Sequence, residues 1–513
     1  IRPLLARKCA VCHNAKKVGQ ADLSGGLALD TFDAVRAGTK EHEVVRPGRA
    51  GDSELLRRIT EADEDLRMPP ADDPLPEDQR ELIRRWIDAG APRGEPVAPA
   101  ASEAPAPVRP RRFVRSLDVV VPTEIKVPAG IAGMGPGGPL ALALKVGPLP
   151  PVTALAFRGD GDLLAVGTYG QVVVWDLKEG RPAVTLADIP GPVHALAFSP
   201  DGRSLAVGAG LPARSGVARL YAVPEGGLVR EFAGHADVVF AVAFRPDGGQ
   251  LASAGFDQTV RLWDVADGRP TGVFTGHSDF VYDVAYAPDG RTLLSASKDR
   301  AIKRSDTETG RGVRTYSDHN DDVLALAVRP GTDQFVSAGA EPQLRWWTFD
   351  AEKPQKKLGG HAGPVHQLAF SGDGSRLISA GGDQTVRLWD GASGTFRKAL
   401  PGPTEWQYAA ALARDGRLAA AGGWDGLARV WDADAGTLRA TLIQPPGASP
   451  GSAPWLGLAP AGYAAGSPDL LALARWRAGG VEIPAEVPSA TFVRPDQFAR
   501  ALRGEPVDPV FAK

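Results

Sequence analysis

A motif recurs every 42 residues along the middle of this chain, and a repeat of that length dictates an array of like units before any other feature is weighed. The pairs Gly234-His235, Gly276-His277, Asp318-His319 and Gly360-His361 mark it. Asp257, Asp299, Glu341, Asp383 and Asp425 keep the same period, as do Trp263, Ser305, Trp347, Trp389 and Trp431. Between the marks, each unit has an alternating apolar strand such as Val242-Ala-Phe244 and a Pro-Asp-Gly turn such as Pro246-Asp247-Gly248. A second strand ending in Ser-Ala follows, then a tight turn and a third strand, Val260-Arg-Leu-Trp-Asp264. Period-two alternation punctuated by turn residues predicts antiparallel sheet throughout.

A unit with Gly-His near one end and Trp-Asp near the other resembles the WD-repeat β-propeller, with four strands to a blade. The resemblance implies one hydrogen-bonded set per blade, here His235, Ser253, Asp257 and Trp263, and again His361, Ser379, Asp383 and Trp389. These His and Asp residues are thereby expected to be scaffold rather than metal ligands or catalysts, because buried polar groups need partners. Units at about 149–186, 189–232, 234–274, 276–316, 318–358, 360–400 and 402–442 give seven blades. Eight is the alternative. The stretches 455–460, 462–467 and 471–476 read as degenerate strands, and residues 141–146 from the other end would complete them in a clasp that removes exposed edges.

The amino-terminal part carries different chemistry. Residues 9–13 read Cys9-Ala-Val-Cys-His13, and Cys9 and Cys12 are the only two cysteines in 513 residues. Two thiols three positions apart on a helical turn can reach the two vinyl groups of one porphyrin, with the adjacent imidazole of His13 aimed at iron, so the pentapeptide reads as a c-type haem attachment site. A redox CxxC has no need of the trailing histidine and sits beside a βαβ pattern that this segment lacks. The second axial ligand is expected to be Met68, one of two methionines, in Arg67-Met68-Pro69-Pro70, where the prolines stiffen an extended loop. Met134, in a Gly-rich run, reads as a loop residue, and His42 is the alternative ligand, which would make a bis-His site of lower potential.

Around these ligands the sequence predicts a small all-helical domain. Helices are expected ahead of the cysteines, from Ser53, and from Pro76-Glu77-Asp78 to a stop at Gly90, the last with Leu82, Ile83, Trp86 and Ile87 on one apolar face. Trp86 reads as core packing. Residues 1–91 resemble the small cytochrome c domain widespread in planctomycete bacteria, on the Cys9–His13 box, Gly25-Gly-Leu-Ala-Leu-Asp30, Val45-Arg-Pro-Gly48, Ser53-Glu-Leu-Leu56, Met68-Pro-Pro70 and Trp86-Ile-Asp-Ala-Gly-Ala91. Asn14 stands where members often carry glycine. The resemblance implies one covalent haem c, iron bound by His13 and Met68, and maturation outside the bacterial inner membrane, hence a periplasmic or exported protein whose signal peptide precedes the sequence.

The expected organisation is therefore multidomain: 1–91 a haem domain, 92–139 a Pro/Ala/Gly-rich linker, 140–480 the propeller, and 481–513 a tail whose segment 492–502 reads as a short helix on the last blade. A nucleic-acid reading of the arginines at 109, 111 and 112 is weakly supported, since the net charge is only −3 and no aromatics interleave them, and no nucleic-acid partner is expected. No apolar run is long enough to span a membrane. Three functions fit this order. The first is single-electron transfer, with both axial positions filled and the propeller docking a redox partner protein. The second is an oxidoreductase with another site in the propeller channel, for which His194 and His366 are the histidines outside the blade pattern. Their equivalent places, Pro192-Val-His194 and Pro364-Val-His366, favour a packing or surface role. The third is a scaffold in which haem senses redox state or gas.

Overall fold

A computed structural model describes residues 44–61, 77–91, 117–124, 139–446, 453–483 and 489–510. The chain divides into two units, residues 1–111 and 112–513.

In the first unit, the helices Glu54–Thr60 and Glu77–Asp88 pack on each other. Ser53 starts the first helix from a fully buried position, its hydroxyl accepting from Arg46 N at 2.8 Å and donating to Arg49 O at 3.0 Å. The second helix ends as expected, with Gly90 at φ +88° donating to Ile87 O. Ile83, Ile87, Leu55, Leu56, Ile59, Val44 and Val45 form one apolar cluster, with Trp86 packed against its side. Leu82 differs from the expectation and is 52% exposed. A helix that meets one neighbour buries a narrow stripe, and Ile83 and Ile87 occupy it.

The second unit is a propeller of seven four-stranded antiparallel sheets at 154–186, 193–232, 239–274, 281–316, 323–358, 365–400 and 407–443, each built from consecutive strands. The first strand of every blade packs on that of the next, and Gln407–Leu412 packs on Ala154–Phe157, so the ring closes at seven. Second strands such as Gln250–Gly255 are buried along their whole length. The Pro-Asp-Gly turns form as predicted: Gly248 takes φ +77°, and Asp247 accepts from Gly249 N at 2.9 Å.

The eight-bladed alternative is corrected in an informative way. Pro139–Leu144 does pair with the carboxy-terminal side, Leu142 opposite Trp476, but the partner strand is Ala474–Ala478, and Pro468–Ala472 ahead of it is a helix. Leu117–Glu124, inside the stretch read as linker, adds to the other edge, and Val481–Glu482 completes a four-stranded sheet outside the ring. Leu456–Leu458 and Ala464–Gly466 extend the seventh sheet to six strands. Leu140, Leu142, Leu144, Ile443, Leu456 and Trp476 then bury the outer sheet on the seventh blade. The edge is covered, as the clasp argument required, yet without an eighth blade.

Among the described residues no strand is exchanged across the closure, so packing and a few hydrogen bonds hold it. Gln444, leaving the seventh blade, accepts from Trp175 Nε1 at 3.1 Å and donates to Val166 O at 3.1 Å, both on the first blade. Val152 N donates to Gly423 O at 2.9 Å. The helix Pro495–Arg503 places Phe498 and Leu502 in the same core as Val173, Trp175, Val430 and Leu442, in line with a tail helix packing beside the last blade.

Candidate functional site

Cys9, Cys12, His13 and Met68, with His42 and Met134, lie outside the described residues. Their donor types fit a haem c: two thiols that could attach a porphyrin, and an imidazole and a thioether that could hold its iron.

Within the propeller, the marker residues assemble as the blade pattern implied. Trp263 Nε1 can only donate, and it meets Ser253 Oγ at 2.8 Å. The serine hydroxyl is then free to donate to His235 Nε2 at 2.7 Å, so the imidazole proton sits on Nδ1 and goes to Asp257 Oδ2 at 2.9 Å. Burial pushes the Asp257 carboxyl up, but His235 and Thr259 outweigh it and hold it down to about 2. His361, Ser379, Asp383 and Trp389 repeat the chain of bonds at 2.7 to 3.0 Å. These histidines are scaffold.

The fifth blade departs from its neighbours at two positions, and one buried arginine ties the two changes together. Glu341 replaces the turn aspartate, Arg345 is buried, and Asp318 stands where other units have glycine. Arg345 donates to Asp318 at 2.8 Å, pairs with Glu341 at 2.7 Å and points Nη1 at His319 Nδ1 at 2.9 Å. Arginine only donates, so here Nδ1 accepts and the proton moves to Nε2, facing Ser337 Oγ at 2.8 Å.

The mouth of the ring holds a cavity of about 510 Å³. Its wall follows from one register position. Each first strand opens with a buried residue wedged between blades, and the next residue faces the axis: Thr153, His194, Phe240, Tyr282, Leu324, His366 and Tyr408. His194 and His366 thus belong to a ring of equivalent places, and both line the cavity. His194 stacks on Phe240 at 4.1 Å, Phe240 on Phe256 at 4.4 Å, and Phe256 on Phe280 at 4.1 Å. Burial lowers His194 to about 4 and lowers His366 as well, so both rings are neutral at neutral pH. Asp283 is enclosed by protein and open only toward the cavity; burial raises its carboxyl to about 7 against the hydrogen bonds from Leu326 N and Val284 N.

The rim residues Tyr169, Trp406 and Trp424, together with Phe240, Tyr282, Asp283 and Tyr408, escaped the sequence reading. The 42-residue spacing from Phe240 through Tyr282, Leu324 and His366 to Tyr408 carries the signal for the wall. For the rim no periodic signal exists, because loops have no fixed side-chain period.

No helix among the described residues is long and apolar enough to cross a membrane. Comparison with known families places residues 9–72 in the family described as Planctomycete cytochrome C. Residues 144–176, 226–264, 268–303, 352–390 and 394–432 match the WD domain, G-beta repeat. These matches leave out most of the second blade, which lacks the Gly-His mark, and of the fifth, with its rearranged arginine network. No curated protein matches the chain.

Proposed function

We propose, for a chain that joins a Planctomycete cytochrome C domain to a WD-repeat propeller, that it is an exported or periplasmic c-type cytochrome passing single electrons, with the propeller docking its redox partner protein. The observation that carries this reading is that Cys9, Cys12, His13 and Met68, a full set of attachment and axial groups, all fall within residues 9–72. One haem c, when bound, supplies a one-electron couple. Cys9 and Cys12 would attach it through their thiols, and His13 and Met68 would hold its iron, a ligand pair that suits electron transfer. Met68 sulfur favours a higher potential than a second imidazole such as His42. Pro69 and Pro70 restrict the backbone that presents the thioether.

The test is expression of the full chain in a host that matures c-type cytochromes. Pigment that stays with the protein in acidic acetone, and is lost on Cys9→Ser with Cys12→Ser, supports covalent attachment; pigment that is absent or extracted ends the redox reading. Met68→Ala should abolish the sulfur-to-iron charge-transfer band of the oxidised form and lower the potential. Carbon monoxide binding readily to the reduced parent protein would overturn pure electron transfer in favour of a sensor or an enzyme.

A further inference from the structure

We propose that the mouth of the propeller channel is a binding site for an organic cation, an ammonium or guanidinium group of side-chain size. The inference stands apart from the haem, since every residue it uses belongs to the propeller.

The cavity of about 510 Å³ falls in the size range of ligand sites, and its wall is mainly carbon and aromatic surface with a few polar groups. Large aromatics lie open on the same face: Trp424 is 60% exposed, Tyr169 57% and Trp406 48%. Clustered exposed aromatics mark binding surfaces, whereas scattered ones do not. The rings differ in what they can offer. Phe240 has one face on His194 and the other on Phe256, so it is already covered. Tyr408 meets His366 and Trp424 edge to face, at 5.3 and 6.5 Å, and neither ring is stacked parallel on it, while Trp424 itself is largely exposed. Aromatic faces attract cations.

Charge selects the same sign. The two residues before the entering position of each blade include Asp237, Asp279, Asp321, Asp322 and Glu405 and no lysine or arginine. In the loops between second and third strands on this face the basic residues are Arg214, Lys298 and Arg300, while Lys303, Arg345 and Lys357 reach the same face but are taken up by Gly276 O, Asp318 and Glu341. Lys298 is already engaged, 3.8 Å from Asp279 and 4.9 Å above the Phe280 ring. The wall adds Asp283, whose carboxyl, raised to about 7 by burial, is partly ionised at neutral pH and would be favoured in its charged form by a cation beside it, and the two imidazoles carry no charge there. An anion would find little here to hold it.

The experiment is titration of the full-length, haem-loaded protein at fixed ionic strength, followed by calorimetry and tryptophan fluorescence. The probes are tetramethylammonium chloride, arginine methyl ester, an acetylated Gly-Arg-Gly amide, sodium acetate and toluene. Saturable binding of the cations, weakened about tenfold by Trp424→Ala or Tyr408→Ala, is the expected result. Binding of the free cations identifies a small amine as sufficient; binding of the peptide alone identifies a basic side chain on a partner. Equal binding of acetate or toluene, or no saturation by any cation, overturns the proposal. Trp424 is exposed, so its variant keeps the thermal transition of the parent and serves even where Tyr408→Ala does not fold.

Discussion

In the third blade the single hydroxyl of Ser253 joins two buried side chains. Ser253→Ala leaves the Trp263 indole N–H and His235 Nε2 buried without their partner, and each orphaned group costs about 1–3 kcal/mol. The variant should therefore lower the midpoint of thermal or urea unfolding by an amount corresponding to at least 2 kcal/mol, measured against Ser393→Ala on an exposed turn as control. Titration gives a second residue-scale prediction. His194 titrates near 4 when folded against an ordinary 6.5, so the unfolded chain takes up its proton first and stability falls as pH drops from about 6.5 to 4. Asp257 and Asp299, held down to about 2, contribute stability present above 3.8 and lost as pH falls toward 2. Asp283, raised to about 7, takes up its proton in the folded state first and opposes this loss over the same range, so the reading is a difference between variants: His194→Phe, which keeps the stack on Phe240, should lose less stability than the parent between pH 6.5 and 4 in a plot of midpoint against pH.

At the scale of elements, the blades were legible and their closure was not. Strand alternation, the Pro-Asp-Gly turns and the His, Asp and Trp marks are local signals, and each recurs often enough to be read without a partner in view. The closure rests on pairs far apart in sequence: Gln444 with Trp175, and Phe498 against Gly457, where an added Cβ would stand 2.2 Å from the ring. Nothing around Gly457 announces that a helix some forty residues on will press there. The cavity wall was half legible, as a periodic ring, while Tyr169 and Trp424 depend on loop geometry. Phe498→Ala empties a fully buried site and should cost about 3–4 kcal/mol. Gly457→Ala should destabilise in the same direction by displacing the helix Pro495–Arg503, and increased proteolysis after residue 488 would report it. In the fifth blade, Arg345→Leu leaves Asp318 and Glu341 facing each other with Lys357 the remaining cation near Asp318. Loss of about 3 kcal/mol is expected from breaking such a network, read by denaturant titration.

At the scale of the whole molecule, the order of elements bears on how the two units depend on each other. All seven blades come from one uninterrupted stretch, 154–443, and the sheet that covers the seventh blade draws its first strands from 117–124 and 139–144. Among the described residues, no strand of the propeller comes from residues 1–111, and the helical cluster of Val44, Leu56, Ile83 and Ile87 is built wholly within that first unit. Each unit therefore holds the apolar partners its own core needs, which is the condition for folding separately. The expected outcome is two thermal transitions in calorimetry of the full chain. Cys9→Ser with Cys12→Ser, which removes the attachment thiols, should lower only the smaller one, and residues 112–513 alone should reproduce the larger at the same temperature. Merging of the two into one transition, or a shift of the larger by several degrees, would instead mean that the units stabilise each other through contact.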